Sequence, residues 1–243
     1  MSLLDKVSTG VVPHPPKICI TGQPGIGKST LASNFENALF VERASRTLHL
    51  DVNRVQVNTW EEVLALCTEV ANSNYKTLVL DPINDIEELC LEFITKEDGA
   101  PHYMEIGGGY AKYRAPLRKQ WRRLLSLLDR VQSKGIQVVL TAHTVVKTFN
   151  PPDAEAFDRY VLKLDAVTST LITENVDLIG YAHYKTVVKT VKEGMKKSGK
   201  AKTTGDRIIE FKHNPAYPSK KGIPCADKCK LDFDSFQKAL NNE

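Results

Sequence analysis

Gly22-Gln23-Pro24-Gly25-Ile26-Gly27-Lys28-Ser29 fits the pattern G-x-x-x-x-G-K-S. That spacing has a mechanical basis. Its glycines let backbone N–H groups turn inward toward phosphate oxygens. The lysine reaches the β- and γ-phosphates, and the serine hydroxyl can hold Mg2+. The pattern has meaning only with a strand before it and a helix after it. Lys17-Ile18-Cys19-Ile20-Thr21 reads as a short buried strand, and Ser29 to about Asn37 as a helix. Ala38-Leu39-Phe40-Val41 reads as the next strand. Strand, glycine loop, helix and strand open an α/β sheet. Gly22 to Ser29, with Thr30 behind them, are the candidate ATP-binding residues.

Such a loop needs an acid for its metal. Thr77-Leu78-Val79-Leu80-Asp81 is an apolar strand ending in a carboxylate, so Ser29 and Asp81 are the candidate Mg2+ ligands. The competing reading of Asp81 is a cap for the helix starting near Ile83. Further helices are expected over Trp60 to about Asn72, Arg114 to about Ser133 and Phe233 to about Leu240. A third buried strand runs from Ile136 to Ala142 and ends at His143. Residues 97–113, rich in glycine, and 144–158, with Pro151-Pro152, read as two loops. Strand patterns follow at 160–164, 176–184, 186–191 and 207–211, the later ones forming a hairpin with a Lys/Gly-rich tip.

The bulk numbers narrow the class. The chain has 243 residues, 42% hydrophobic and 26% charged, which suits one α/β domain. Residues 1–16 read as an extended entry segment and 17–243 as the domain. No apolar run approaches the ~20 residues that span a bilayer, and no apolar region follows the first residues. The expectation is a cytoplasmic protein without a membrane partner. Five scattered cysteines (19, 67, 90, 225, 229) argue against a disulfide framework. Cys225 and Cys229, near His213, match at most half of a metal site. Net charge is only +4, but two local stripes are basic: Arg114 to Arg123, and Lys185 to Lys202.

The ordered set resembles a known group. The glycine loop, Leu78-Val79-Leu80-Asp81 and Val139-Leu140-Thr141-Ala142-His143 are similar to the RecA/Rad51-type ATPase core. Closer still are the short phage-encoded RecA-like ATPases described as core-only recombinases and single-strand annealing proteins. Gly108-Gly109-Tyr110-Ala111-Lys112-Tyr113, Asp158 to Leu164, Glu174-Asn175-Val176-Asp177 and Asn214-Pro215-Ala216-Tyr217 add to the likeness. The resemblance implies a RecA-like P-loop NTPase core, with a mostly parallel central sheet flanked by helices and a C-terminal antiparallel hairpin. It implies ATP and Mg2+ as cofactors, with single-stranded DNA as ligand. It also implies a homo-oligomer, filament or ring, working beside a single-strand-binding protein in the host cytoplasm.

The same resemblance assigns roles. Glu42, ending the strand after the first helix, becomes the residue that orients or deprotonates water. His143 becomes the γ-phosphate sensor, and Lys28 the catalytic cation. Where the family carries an arginine before its Gly-Leu-Pro element, this chain has Lys220 and Lys221, the candidate cation for a neighbour's site. Tyr110, Lys112, Tyr113, Arg114 and Lys147 are the candidate DNA contacts, since aromatic rings and cations together suit stacking and phosphate binding. Two other functions stay open at this level: a P-loop small-molecule kinase, and an ATPase assembly module without DNA.

Overall fold

The computed structural model describes the chain except residues 1, 2, 8, 11, 12, 154, 194, 195 and 243; for residues 3, 6 and 187–204 it describes the backbone alone. The first half runs β1 (Lys17–Gly22), α1 (Lys28–Ala32), β2 (Ala38–Glu42), β3 (Asn53–Gln56), α2 (Trp60–Val70), β4 (Thr77–Leu80) and α3 (Ile83–Asp98). Next come α4 (Arg114–Ser133), β5 (Gln137–Phe149), β6 (Phe157–Leu162), α5 (Ala166–Asn175) and β7 (Leu178–Glu193). The chain closes with β8 (Lys196–Glu210), β9 (Lys220–Lys221), β10 (Lys228–Lys230) and α6 (Phe233–Leu240).

The main path of the sheet has the order β10-β8-β7-β1-β5-β4-β2-β3. β1 lies between β5 and β7 and is parallel to both. β4, β2 and β3 continue the parallel half, and β8 and β10 join antiparallel. The expected α/β architecture is therefore present, with its mostly parallel centre and antiparallel end. β5 separates β1 from β4, so the glycine loop and Asp81 leave the sheet one strand apart.

Helices cover both faces, which is why β1 and β2 are buried at every position. On one face, Trp60, Trp121, Leu128 and Ile172 pack with Leu78, Leu80 and Val138. Trp121 is 0% exposed, and cutting such a side chain to alanine costs about 3–5 kcal/mol. On the other face, Leu31 of α1 and Phe236 of α6 pack against Phe40, Val79 and Val139. Side chains alternate along a strand. Two residues beyond those three, Glu42, Asp81 and Thr141 therefore face the α1 side, at the end where the glycine loop sits.

Several sequence expectations are corrected. α1 stops at Ala32 instead of running to Asn37. Ser33 Oγ and Asn34 Nδ2 both donate to the Thr30 carbonyl and compete with the helical ladder. Residues 144–158 are largely not a loop. β5 continues through Thr144–Phe149 and pairs antiparallel with β6, and Arg159 covers the Phe149 ring at 3.8 Å. The run of Thr, Val and Phe favours a pleated partner, and the hairpin satisfies its backbone groups. Residues 97–113 contain a 3₁₀ turn over Tyr103–Gly108, anchored by buried Ile106. The entry segment is not wholly extended, since Leu3–Lys6 forms a 3₁₀ turn. β3 and α5 lie where no element was expected. Within the Lys185–Lys202 stripe, the side chains from Lys189 onward lie outside the described residues.

Candidate nucleotide site

The glycine loop joins β1 to α1. Gly22 has φ 149°, and a Cβ there would lie 2.3 Å from the Ala182 carbonyl oxygen. β7 runs too close for any side chain, so glycine is required. Gly27, at φ 112°, carries the guanidinium of Arg207, whose Nη1 would lie 2.7 Å from an added Cβ. Arg207 also donates to the Ile26 carbonyl at 3.1 Å, bracing the loop from β8.

Lys28 is buried, and its ammonium donates to the carbonyls of Gly22 (3.0 Å) and Gln23 (2.9 Å). It also meets His143 Nδ1 at 3.2 Å. Desolvation pushes the Lys28 pKa down to about 8, partly opposed by Asp81 and Cys19. Burial pushes His143 down to about 4, helped by the cations Lys28, Arg46 and Lys163. His143 is therefore neutral at pH 7. With Lys28 as donor, Nδ1 accepts and Nε2 carries the proton.

Asp81 does not cap α3. The cap position belongs to Pro82, which makes no side-chain cap bond, and the Asp81–Pro82 peptide is cis. Instead the fully buried Thr141 hydroxyl donates to Asp81 Oδ1 and fixes the carboxylate's direction. Glu42 is 1% exposed and sits beside Asp81, because Val41 pairs with Leu80 in register. Its Oε2 accepts from the Arg46 N–H (3.2 Å), the Thr47 N–H (3.2 Å) and the Thr47 hydroxyl (3.1 Å). Those bonds fold the 42–47 turn over the strand ends.

His143 is not a strand terminus. It marks where β5 leaves the parallel sheet, paired with Gly22, and enters the hairpin with β6. Asn84 holds it there. Asn84 Oδ1 accepts the His143 N–H at 2.8 Å, and its amide nitrogen donates to the Lys163 carbonyl. The Lys163 N–H in turn donates to the His143 carbonyl at 2.9 Å.

The structure thus gathers Lys28, Glu42, Asp81 and His143 at the C-terminal end of the parallel strands, with Ser29 next to Lys28 in the first turn of α1. A family model described as an AAA domain matches residues 14–222. The chain belongs to this AAA-domain family. A search of curated proteins returns no match. As a P-loop ATPase of the AAA type, the domain has ATP binding as its family property. Among the described residues, no helix is long and apolar enough to cross a membrane.

Other expected residues of the AAA domain lie elsewhere. Lys220 Nζ donates to the carbonyls of Thr173 (2.9 Å), Glu174 (3.1 Å) and Val176 (2.7 Å), closing the C-terminal end of α5. Lys221 Nζ pairs with Asp227 at 3.0 Å. Both ammonium groups are thus engaged within their own chain. Tyr113 is 8% exposed, and its hydroxyl donates to Asp165 at 2.7 Å. Its ring packs edge-on to Tyr103. It is a core residue rather than a surface contact. Arg114 shares that Asp165 carboxylate, and Lys112 Nζ donates to the Gly107 carbonyl. Tyr110, 97% exposed, and Lys147, exposed on the β5–β6 hairpin, do face solvent. Cys225 and Cys229 are free thiols, and no metal-sized group of His, Cys, Asp and Glu occurs among the described residues.

Sequence reading missed Thr141, Asn84, Arg46 and Arg207. Thr141 was legible in principle: it is a polar residue in an apolar strand, two positions before His143. The others carry no local signal.

Proposed function

We propose that this AAA domain binds and hydrolyses Mg-ATP and couples that cycle to single-stranded DNA in phage homologous recombination or strand annealing. One observation carries the nucleotide part. Lys28, with its ammonium turned onto loop carbonyls, sits at the same end of the parallel strands as the Thr141-oriented Asp81. The residues fit a bound Mg2+, because the Ser29 hydroxyl and the Asp81 carboxylate are hard oxygen donors. Held by those two groups, Mg2+ would neutralise charge on the bound phosphates.

The chain's own residues do the remainder. Lys28 exchanges its carbonyl partners for phosphate oxygens, and the His143 Nε2–H is a neutral donor for the terminal phosphate. Glu42 positions water from a turn that already fixes its carboxylate. A cleft of about 370 Å³ beside α1, lined by Gly27, Thr30, Arg207, Leu231, Asp232 and Phe233, receives the nucleoside end.

The DNA part is supported by exposed Tyr110 and Lys147, and by the hairpin that starts at His143. Asn84 ties His143 in β5 to Lys163, the residue just past β6, so the nucleotide state has a route to the hairpin that carries Lys147. The resemblance to RecA-like annealing proteins adds self-assembly as filament or ring, a single-strand-binding partner and a cytoplasmic setting.

The test is ATP turnover with and without single-stranded DNA, in the wild type and in Lys28→Ala. DNA-stimulated turnover abolished by the substitution is expected. Turnover without DNA binding at low salt leaves an assembly ATPase, and phosphate transfer to a nucleoside or sugar instead of water leaves a kinase.

A further inference from the structure

The 42–47 turn brings an arginine, Arg46, beside the phosphate end of the site. Arg46 follows Glu42 by four residues, and its backbone N–H is bound to the Glu42 carboxylate. Its guanidinium Nη2 lies 2.8 Å from Asp85 Oδ2, while its side chain remains 55% exposed. Among the described residues, Asp85 is its only side-chain partner. Neighbouring arginines are committed elsewhere. Arg43 is paired outward with Glu88 and Glu92, and Arg54 staples the Thr47 and Leu50 carbonyls. Asp85 is the residue after Asn84, so one turn of α3 holds both Arg46 and His143. The charges that act most on the His143 ring are all cationic: Lys28, Arg46 and Lys163. A site with converging cations and a neutral donor at its centre is built for a multiply charged anion.

We propose that Arg46 binds the terminal phosphate of the nucleotide from within the same chain, and that Asp85 holds Arg46 aside until that phosphate arrives. The proposal rests on the ATP reading above. A guanidinium suits the exchange, since its planar fork binds carboxylate and phosphate alike. The exchange has an opposing term. Asp85 is 7% exposed and loses its partner when Arg46 leaves, and its place in the first turn of α3 only partly offsets that loss. Arg46 therefore discriminates a nucleoside triphosphate from a diphosphate, and Asp85 sets how strongly.

The experiment is titration of ATP and ADP, each with Mg2+, against the wild type, Arg46→Ala and Asp85→Asn. Arg46→Ala should weaken ATP at least about tenfold and leave ADP unchanged. Asp85→Asn should shift ATP in the opposite direction, tightening it, again with ADP unchanged. Equal effects on ATP and ADP, or no effect of Arg46→Ala, overturn the proposal and leave a structural ion pair. If the wild type binds neither nucleotide, the ATP reading itself has failed and the proposal falls with it. That outcome is separable, because it appears before any variant is made.

Discussion

The Nδ1 atom of His143 lies 3.2 Å from the Nζ of Lys28, across the gap between β5 and the glycine loop. Both groups are pushed toward neutrality by burial, Lys28 to about 8 and His143 to about 4. The loop lysine is therefore held by carbonyls and a neutral imidazole, partners weaker than a phosphate. The site is set to give up those contacts when a stronger anion enters.

Nucleotide affinity should depend on the protonation of Lys28. The free protein loses the ammonium as pH rises through about 8, and only the ammonium attracts phosphate. ATP affinity measured by titration should be flat below pH 7 and fall above 8. Binding above pH 8 should take up a proton, seen as a buffer-dependent heat. For folding the sign is reversed. The unfolded lysine keeps its proton to higher pH, so this group's contribution to stability rises between about 8 and the ordinary lysine value.

His143→Ala should lower ATP turnover about a hundredfold, the usual scale for loss of one preorganised donor. Because the imidazole charges only near pH 4, the wild-type rate should show no inflection from this residue between pH 5.5 and 8. A break near 6.5 that disappears in His143→Ala would contradict the neutral-donor role.

Thr141→Val should strand the buried Asp81 carboxylate without its hydroxyl donor. The expected loss is about 1–3 kcal/mol of stability, together with a higher Mg2+ requirement for ATP binding. Thr141→Ser should restore both in thermal melts and Mg2+ titrations.

Lys220→Ala separates two roles. As the donor to the Thr173, Glu174 and Val176 carbonyls, Lys220 should contribute about 1–2 kcal/mol to folding. Turnover per folded molecule should then be unchanged. Unchanged stability with lost turnover would restore Lys220 as a cation for a neighbour's site.

Single-stranded DNA binding, if carried by the exposed face, should respond to Tyr110→Ala and Lys147→Ala differently. Loss of the ring should cost about 1–3 kcal/mol at any salt concentration. Loss of the ammonium should reduce the slope of log affinity against log salt by about 0.7. Tyr113→Phe should disturb folding through Asp165 rather than DNA affinity.

The glycine loop, the Asp81 strand and the buried β1 and β2 were legible because each is a local pattern. A buried parallel strand needs a continuous apolar run, and a phosphate loop needs glycines at fixed spacing. Those constraints act within a few residues, so the chain displays them directly. The long apolar stripe of α4 was legible for the same reason. The hairpin after His143 was not. Its strand residues were masked by Pro151-Pro152 and by the expectation of a loop there.

The opening sequence therefore determined the α/β class and the phosphate-binding end of the site by itself. Tertiary structure alone decided the rest. α5 carries three Thr with Val167 and Ile172, β-branched residues that are poor formers of isolated helix, and its C-terminal end is closed by Lys220, 45 residues beyond Asn175. Thr141 acquires its partner, Asp81, from another strand, and Arg46 acquires Asp85 from the helix beyond it. In each case the stabilising group is distant in sequence, and a hydrogen bond or ion pair leaves no periodicity behind it. A lysine closing a glycine loop can be recognised from spacing; which cation reaches the far end of the phosphate chain is a matter of which turn the sheet folds over it.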